Sequence, residues 1–156
     1  GTPHGMTPIG GRSLLSLRIE KGYGSWGREY SPEYWPQEVG LDRLIKLDKP
    51  EFLGREAYVA IKDEAPRWEL ISLEIEVENA DASGGEPIYT TDGEPCGQVS
   101  SGAYGHSVGA SLALGFIKAP FLDGRTEYDV MILGTPHRAK LLSEAKFDAK
   151  GARLRA

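Results

Sequence analysis

The chain has 156 residues, 40% of them hydrophobic and 26% charged, with a formal net charge of −5. That composition supports one folded domain, or one domain and part of another, and excludes a disordered chain. The acidic balance speaks against a nucleic-acid partner, which favours a basic face. No apolar run approaches the ~20 residues of a membrane span and no leader-like pattern opens the chain, so a cytoplasmic location with no membrane partner is expected.

The opening "GTPHGMTPIGG" is rich in glycine and proline and reads as extended. "RSLLSLRIEKGY" follows, with Leu14 and Leu17, and Leu15 and Ile19, at helical spacings. A short helix is expected there, capped by Ser13 and stopped at Gly22. "GYGSWGREYSPEYWPQEVG" is irregular, because Pro32 and Pro36 interrupt any regular element. "LDRLIKLDK" is compatible with helix or strand. A second helix is expected from about Gly54 to Lys62, capped near Pro50 and Glu51.

From Arg67 the pattern changes to period two. "WELISLEIEV" alternates, and Glu74 and Glu76 lie on what reads as a solvated strand face. "EPIYTTDGEPCGQVSSG" reads as a hairpin turning at Asp92-Gly93. "SLALGFIKA" and "TEYDVMILGTPHRAKLLS" supply further strands, the latter with a turn at "LGTPH". Short strands spaced by glycine turns predict a β-barrel or sandwich. The single cysteine, Cys96, excludes an internal disulfide, suggests a reducing compartment and sits in a turn-like stretch rather than a reactive one.

Two short motifs point to chemistry that their flanks do not support. "GYGSWG" matches a dinucleotide fingerprint, yet it follows a helix and runs into proline-broken sequence instead of opening a helix after a strand. "GHSVG" matches the nucleophile elbow of serine hydrolases. The elbow must join a strand to a helix, whereas Ser107 is expected between two strands. Asp123 or Asp129 with His137 complete a triad only formally. His4, His106 and His137 show no metal-ligand spacing, so no metal is expected.

Longer blocks carry a more specific signal. "SLRIEKGYGSWGREYSPEYWPQEVGLDRLIKLDKPEFLGREA", "GEPIYTTDGEPCGQVSSGAYGHSVGASLALGFI" and "FDAKGARLRA" occur in this order from Gly10 to Arg155. Together they resemble the glycine-cleavage T-protein (aminomethyltransferase) family, and within it the folate-binding half of dimethylglycine and sarcosine dehydrogenases. The resemblance implies an α+β, mainly β fold. A Greek-key-like C-terminal barrel (67–156) would follow a linker with one helix (31–66) and the tail of a ferredoxin-like middle domain (1–30). It further implies that tetrahydrofolate and FAD serve the full enzyme, with FAD in an N-terminal domain outside this sequence. The catalytic aspartate would lie upstream, so no catalytic residue is assigned here. The chain would then be a C-terminal fragment inactive alone, partnered by the rest of its polypeptide or a companion subunit and by small-molecule folate. A non-catalytic docking module of the same fold is the alternative.

The T-protein motif "ARD-x-LRLE" has an arginine facing folate at its start, and Leu14 stands at that position here. This departure favours the dehydrogenase-like branch. Folate has flat rings and an anionic tail, so its pocket calls for aromatic faces and cations. On those grounds Arg18, Tyr23, Trp26, Tyr104, His106 and Arg153 are the expected folate-facing residues, with Arg155 as a further cation. A solvated tail is the plain alternative for the terminal arginines, packing for the aromatics, and an ion pair for Arg18.

Overall fold

The structure, a computed structural model, describes residues 1–156, with the side chain of Leu154 outside the description. Six strands form a closed antiparallel barrel: β1 (Trp68–Ile75), β2 (Pro87–Thr90), β3 (Pro95–Gly105), β4 (Ala110–Lys118), β5 (Glu127–Ile132) and β6 (Thr135–Leu142). Their order around the barrel is β1-β4-β3-β2-β5-β6. β5 returns beside β2 after the β2-β3-β4 meander, which makes the connection a Greek key. Closure leaves no strand at a sheet edge.

Alternation decides which side chains fill the barrel. Ile71, Leu73 and Ile75 of β1 point inward, and Ile88, Val99, Ile117, Tyr128, Val130 and Ala139 meet them from the other strands. The β2–β3 turn falls at Asp92-Gly93, where Gly93 has φ 87°. The hairpin at "LGTPH" turns on Leu133 (φ 48°) and Gly134 (φ 81°). Positive φ at both central residues matches the twist of the flanking strands, but leucine is a poor residue for it.

β4 departs from simple alternation, because every residue from Ser111 to Ile117 is buried. One face lines the barrel, and the other is covered by the N-terminal layer. That layer begins with α1 (Gly11–Glu20), which packs across β3 and β4. Its N-cap is Gly10 in an extended conformation, three residues before the cap expected at Ser13. Ser13 lies inside the first turn, and no side-chain cap forms there. Gly22 stops the helix at φ 68°, as expected. α2 (Arg55–Ile61) matches the second expected helix, but its N-cap is Gly54 at φ 87° rather than the region of Pro50 and Glu51. Between the helices the chain makes short 3-10 turns, including Asp42–Leu44, so "LDRLIKLDK" forms neither a long helix nor a strand. No helix among the described residues is long and apolar enough to cross a membrane.

Candidate functional site

Two of the three buried glutamates fasten the N-terminal layer at α1 and at the loop that follows it. Glu29 is fully buried. Its Oε1 accepts from Ser100 Oγ and Ser101 Oγ, both at 2.6 Å. Its Oε2 accepts from the Ser25 backbone N–H at 2.7 Å and from Arg18 Nη1 at 3.0 Å. Adjacent strand residues ordinarily point to opposite faces. Here the pairing passes from Val99–Gly115 to Ser101–Leu114, so Ser100 is an extra, bulged residue. The bulge turns two consecutive hydroxyls toward one carboxylate oxygen. Burial pushes the Glu29 carboxyl up, but the serine and backbone donors and the Arg18 charge together hold it below its ordinary value.

Arg18 is the expected site residue most deeply engaged. Its guanidinium donates to Glu29, to the Tyr23 carbonyl at 3.0 Å and to Ser101 Oγ at 2.6 Å. It therefore forms an ion pair with Glu29 across the loop and fixes the backbone that carries Tyr23. The loop is tight: a Cβ on Gly24 would lie 2.7 Å from the Tyr30 ring. At its tip Trp26 is 89% exposed, and Tyr23 is 53% exposed on the wall of a cleft of about 370 Å³.

Glu20, at the end of α1, joins three segments. Its Oε1 accepts from the Ser107 backbone N–H at 2.8 Å, and its backbone carbonyl accepts from the Phe147 N–H at 3.0 Å. Ser16 Oγ donates to the Tyr104 carbonyl at 2.7 Å. The end of β3 with Tyr104, the turn with His106 that follows it, and the tail carrying Arg153 are thus tied to α1. The rings of Tyr104 and His106 meet edge to face at 5.1 Å, and Arg153 lies 5.2 Å over Phe147. Arg18, Tyr23, Tyr104, His106 and the Arg153 segment lie along or beside α1, while Trp26 projects from the tip of the Tyr23 loop. The second glycine-rich motif, "GHSVG", joins β3 to β4 as expected, so Ser107 lies between strands. Asp129 pairs with Arg138 at 2.9 Å. Burial pushes the Cys96 thiol up to about 11, which leaves it protonated and unreactive near neutrality.

The third glutamate, Glu38, ties the segment around Trp35 to the start of β1. It accepts from the Trp35 and Arg67 backbone N–H groups at 2.8 and 2.9 Å and from Arg67 Nε and Nη2 at 2.9 and 2.8 Å. Burial raises its pKa, and these donors outweigh burial and bring it to about 2. Arg67 also lies 4.3 Å over the Trp35 ring. Sequence reading missed Glu29, Ser100, Ser101 and Glu38. Acids isolated among glycines and aromatics were the available signal, but burial is a tertiary property. Glu74 and Glu76 do lie at the surface, paired with Lys146 and Lys140 at 2.7 and 2.9 Å.

Comparison with known proteins adds the family. The chain is 31% identical to mitochondrial dimethylglycine dehydrogenase of Mus musculus over 99% of its own length and 18% of that protein. It is 36% identical to an aminomethyltransferase of Herpetosiphon aurantiacus, covering 94% of this chain and 40% of the relative. A 4-methylaminobutanoate oxidase (formaldehyde-forming) of Paenarthrobacter nicotinovorans is 31% identical over 99% of the chain and 19% of the oxidase. This chain therefore spans less than half of each relative. The fold matches the glycine cleavage system aminomethyltransferase T from Bartonella henselae with a TM-score of 0.77 at 21% identity, over 86% of this chain and 38% of that one. Residues 1–49 match the GCVT N-terminal domain. Residues 69–148, just over half of the chain, match the glycine cleavage T-protein C-terminal barrel domain, and the chain belongs to the glycine-cleavage T-protein family.

Proposed function

We propose that the chain is the C-terminal part of a flavin- and folate-linked amine dehydrogenase of the dimethylglycine or sarcosine type, serving its one-carbon transfer half. The observation that carries this reading is a match along 99% of the chain to relatives five times its length, two of them named as an amine dehydrogenase and an amine oxidase. Leu14, in place of the folate-facing arginine of the T-protein motif, favours the same branch. The outer side of the N-terminal segment supports a larger polypeptide. Met6, Ile9, Leu14 and Leu17 are 49–71% exposed, an unusual apolar display that the preceding part of the chain would cover. In this reading residues 1–30 close a middle domain, 31–66 link it, and 67–156 form the barrel domain.

The surface around α1 fits a flat, anionic ligand in part. Tyr23 and Tyr104 are half-exposed rings, His106 offers a donor edge, and Arg153 supplies a cation. Trp26, at the tip of the Tyr23 loop, offers a further ring. Arg18 belongs to this set through the Tyr23 loop that it holds. Tetrahydrofolate, when bound, supplies the nitrogen atoms that accept the one-carbon unit. The chain's own part is to orient that ligand and to limit its motion before transfer. FAD belongs to a domain outside this sequence, and the chain alone is inactive in amine oxidation.

Titration of the chain with tetrahydrofolate, followed by tryptophan fluorescence, tests the reading. Saturable quenching that weakens at least about tenfold on Trp26→Phe or Tyr104→Ala is expected. An unchanged signal to about 1 mM ligand argues instead for a docking module without a folate site of its own.

A further inference from the structure

A second cleft, of about 560 Å³, opens on the outer wall of the barrel between the segment 27–34 and strands β3 and β4. None of the six expected folate-facing residues lines it. Its volume lies in the range of small-molecule sites. Its apolar wall is aromatic: Tyr34 stacks on Phe116 with centroids 3.6 Å apart and planes 6° from parallel, and Trp68 stands beside them. Its polar groups have unused capacity. Arg28 has no carboxylate partner among the described residues, and its guanidinium makes one hydrogen bond there, a long one of 3.4 Å to Ser101 Oγ. Gln98 is exposed on β3 and its amide makes no hydrogen bond among the described residues.

The walls are also fixed before any ligand arrives. The Glu86 carboxylate accepts from the Ser83 and Gly84 N–H groups, both at 2.8 Å, and the Gly85 N–H donates to the Val99 carbonyl at 2.8 Å. Gly84 has φ 126°, and a Cβ there would lie 2.7 Å from the Ser100 carbonyl oxygen, so this turn can lie against the bulge only as glycine. The opposite wall is held by Glu29 and by Glu38 through Arg67. A rigid site loses little entropy on binding.

We infer that this cleft binds a planar aromatic carboxylate. The ring lies against the aromatic wall, and the carboxylate is taken by the Arg28 fork with help from the Gln98 amide. Glu33 on the rim opposes extra negative charge, so monoanions are selected over phosphates and other dianions. The inference does not rest on the one-carbon reading, because it uses none of that site's residues.

Benzoate is the probe, titrated into the ¹⁵N-labelled chain and followed by amide chemical shifts. Saturable shifts at the Gln98 side-chain amide and at Gly27, Gly85 and Ser100 are expected, with Kd about 1 mM. Arg28→Gln should weaken binding about tenfold and Gln98→Ala about threefold, both with an otherwise unchanged spectrum. Acetate, which lacks the ring, and benzylamine, which lacks the carboxylate, should produce no saturable shift there. The inference is overturned if benzoate shifts nothing, if its shifts map elsewhere, if acetate or benzylamine binds equally well, or if Arg28→Gln binds as the parent does.

Discussion

The barrel and the N-terminal layer are held together by different forces. Inside the barrel, Leu73, Ile88, Val99, Ile117 and Val130 pack with essentially no exposed surface, and the strands pair in a closed ring. The layer formed by α1 and the following loops has few such side chains. It is fastened by the buried carboxylates of Glu20, Glu29 and Glu38, each reaching a different point of the barrel or its first strand. The lesson is one of sensitivity. Apolar burial is indifferent to pH, whereas a buried carboxylate holds its partners only while it is ionised and paired.

The largest expected effect is at Glu29. Glu29→Ala leaves the guanidinium of Arg18 buried without its partner and should cost about 4 kcal/mol, read as a lowered midpoint in denaturant unfolding. The loss should fall first on the layer, so tryptophan fluorescence from Trp26 and Trp35 should change before far-ultraviolet circular dichroism of the strands. Coincident transitions would break the comparison. Leu73→Ala comes next, at about 3 kcal/mol, by leaving a cavity in the barrel core. Its loss should be the same at pH 4 and pH 7, and both probes should move together.

Acid sharpens the same contrast. Glu38 titrates near 2 in the folded chain against an ordinary 4.5. A depressed folded pKa means that its contribution is complete above about pH 4.5 and is lost as the pH falls toward 2. That contribution is about 1–2 kcal/mol, after allowing for a partner, Arg67, whose side chain is 46% exposed. Glu29 shifts in the same direction. Stability should therefore fall between pH 4.5 and 2, and Glu38→Gln should flatten the fall. An equally steep fall in Glu38→Gln would remove this residue from the account. The smallest effect is a gain. Leu133→Asn should stabilise by about 0.5 kcal/mol, because asparagine tolerates the left-handed backbone that Leu133 adopts at φ 48°. A small rise in Tm would register it, and a fall would show that Leu133 has a contact of its own.

The contrast also governs what could be read from the sequence. Period-two alternation marks a surface with one wet and one dry face, so β1 and the hairpin at Asp92-Gly93 were legible. The flanks of "GHSVG" were enough to place Ser107 between strands. β4, buried on both sides, and the helix start at Gly11 depend on what packs against them, which no local pattern records. The longer blocks disclosed the family, because motif order is a property of the whole chain. The chemistry of aromatic and cationic side chains singled out six residues, and the structure ties the segments of Tyr104 and Arg153 to α1 without bringing the six side chains into one pocket. The groups that arrange them were not legible. Glu29 reads locally as a surface acid, and the extra residue at Ser100 that aims two hydroxyls at it is visible only in the strand register.

The Glu29 carboxylate pins the loop to the barrel. Native-state amide hydrogen exchange in Glu29→Gln measures this most directly. Protection of the Tyr23 and Tyr30 amides, which donate to Arg18 and Ser25 carbonyls within the layer, should fall by at least about tenfold while the Val99 and Ile117 amides of the barrel keep theirs. Unchanged protection at Tyr23 and Tyr30, or an equal loss in loop and barrel, would contradict it.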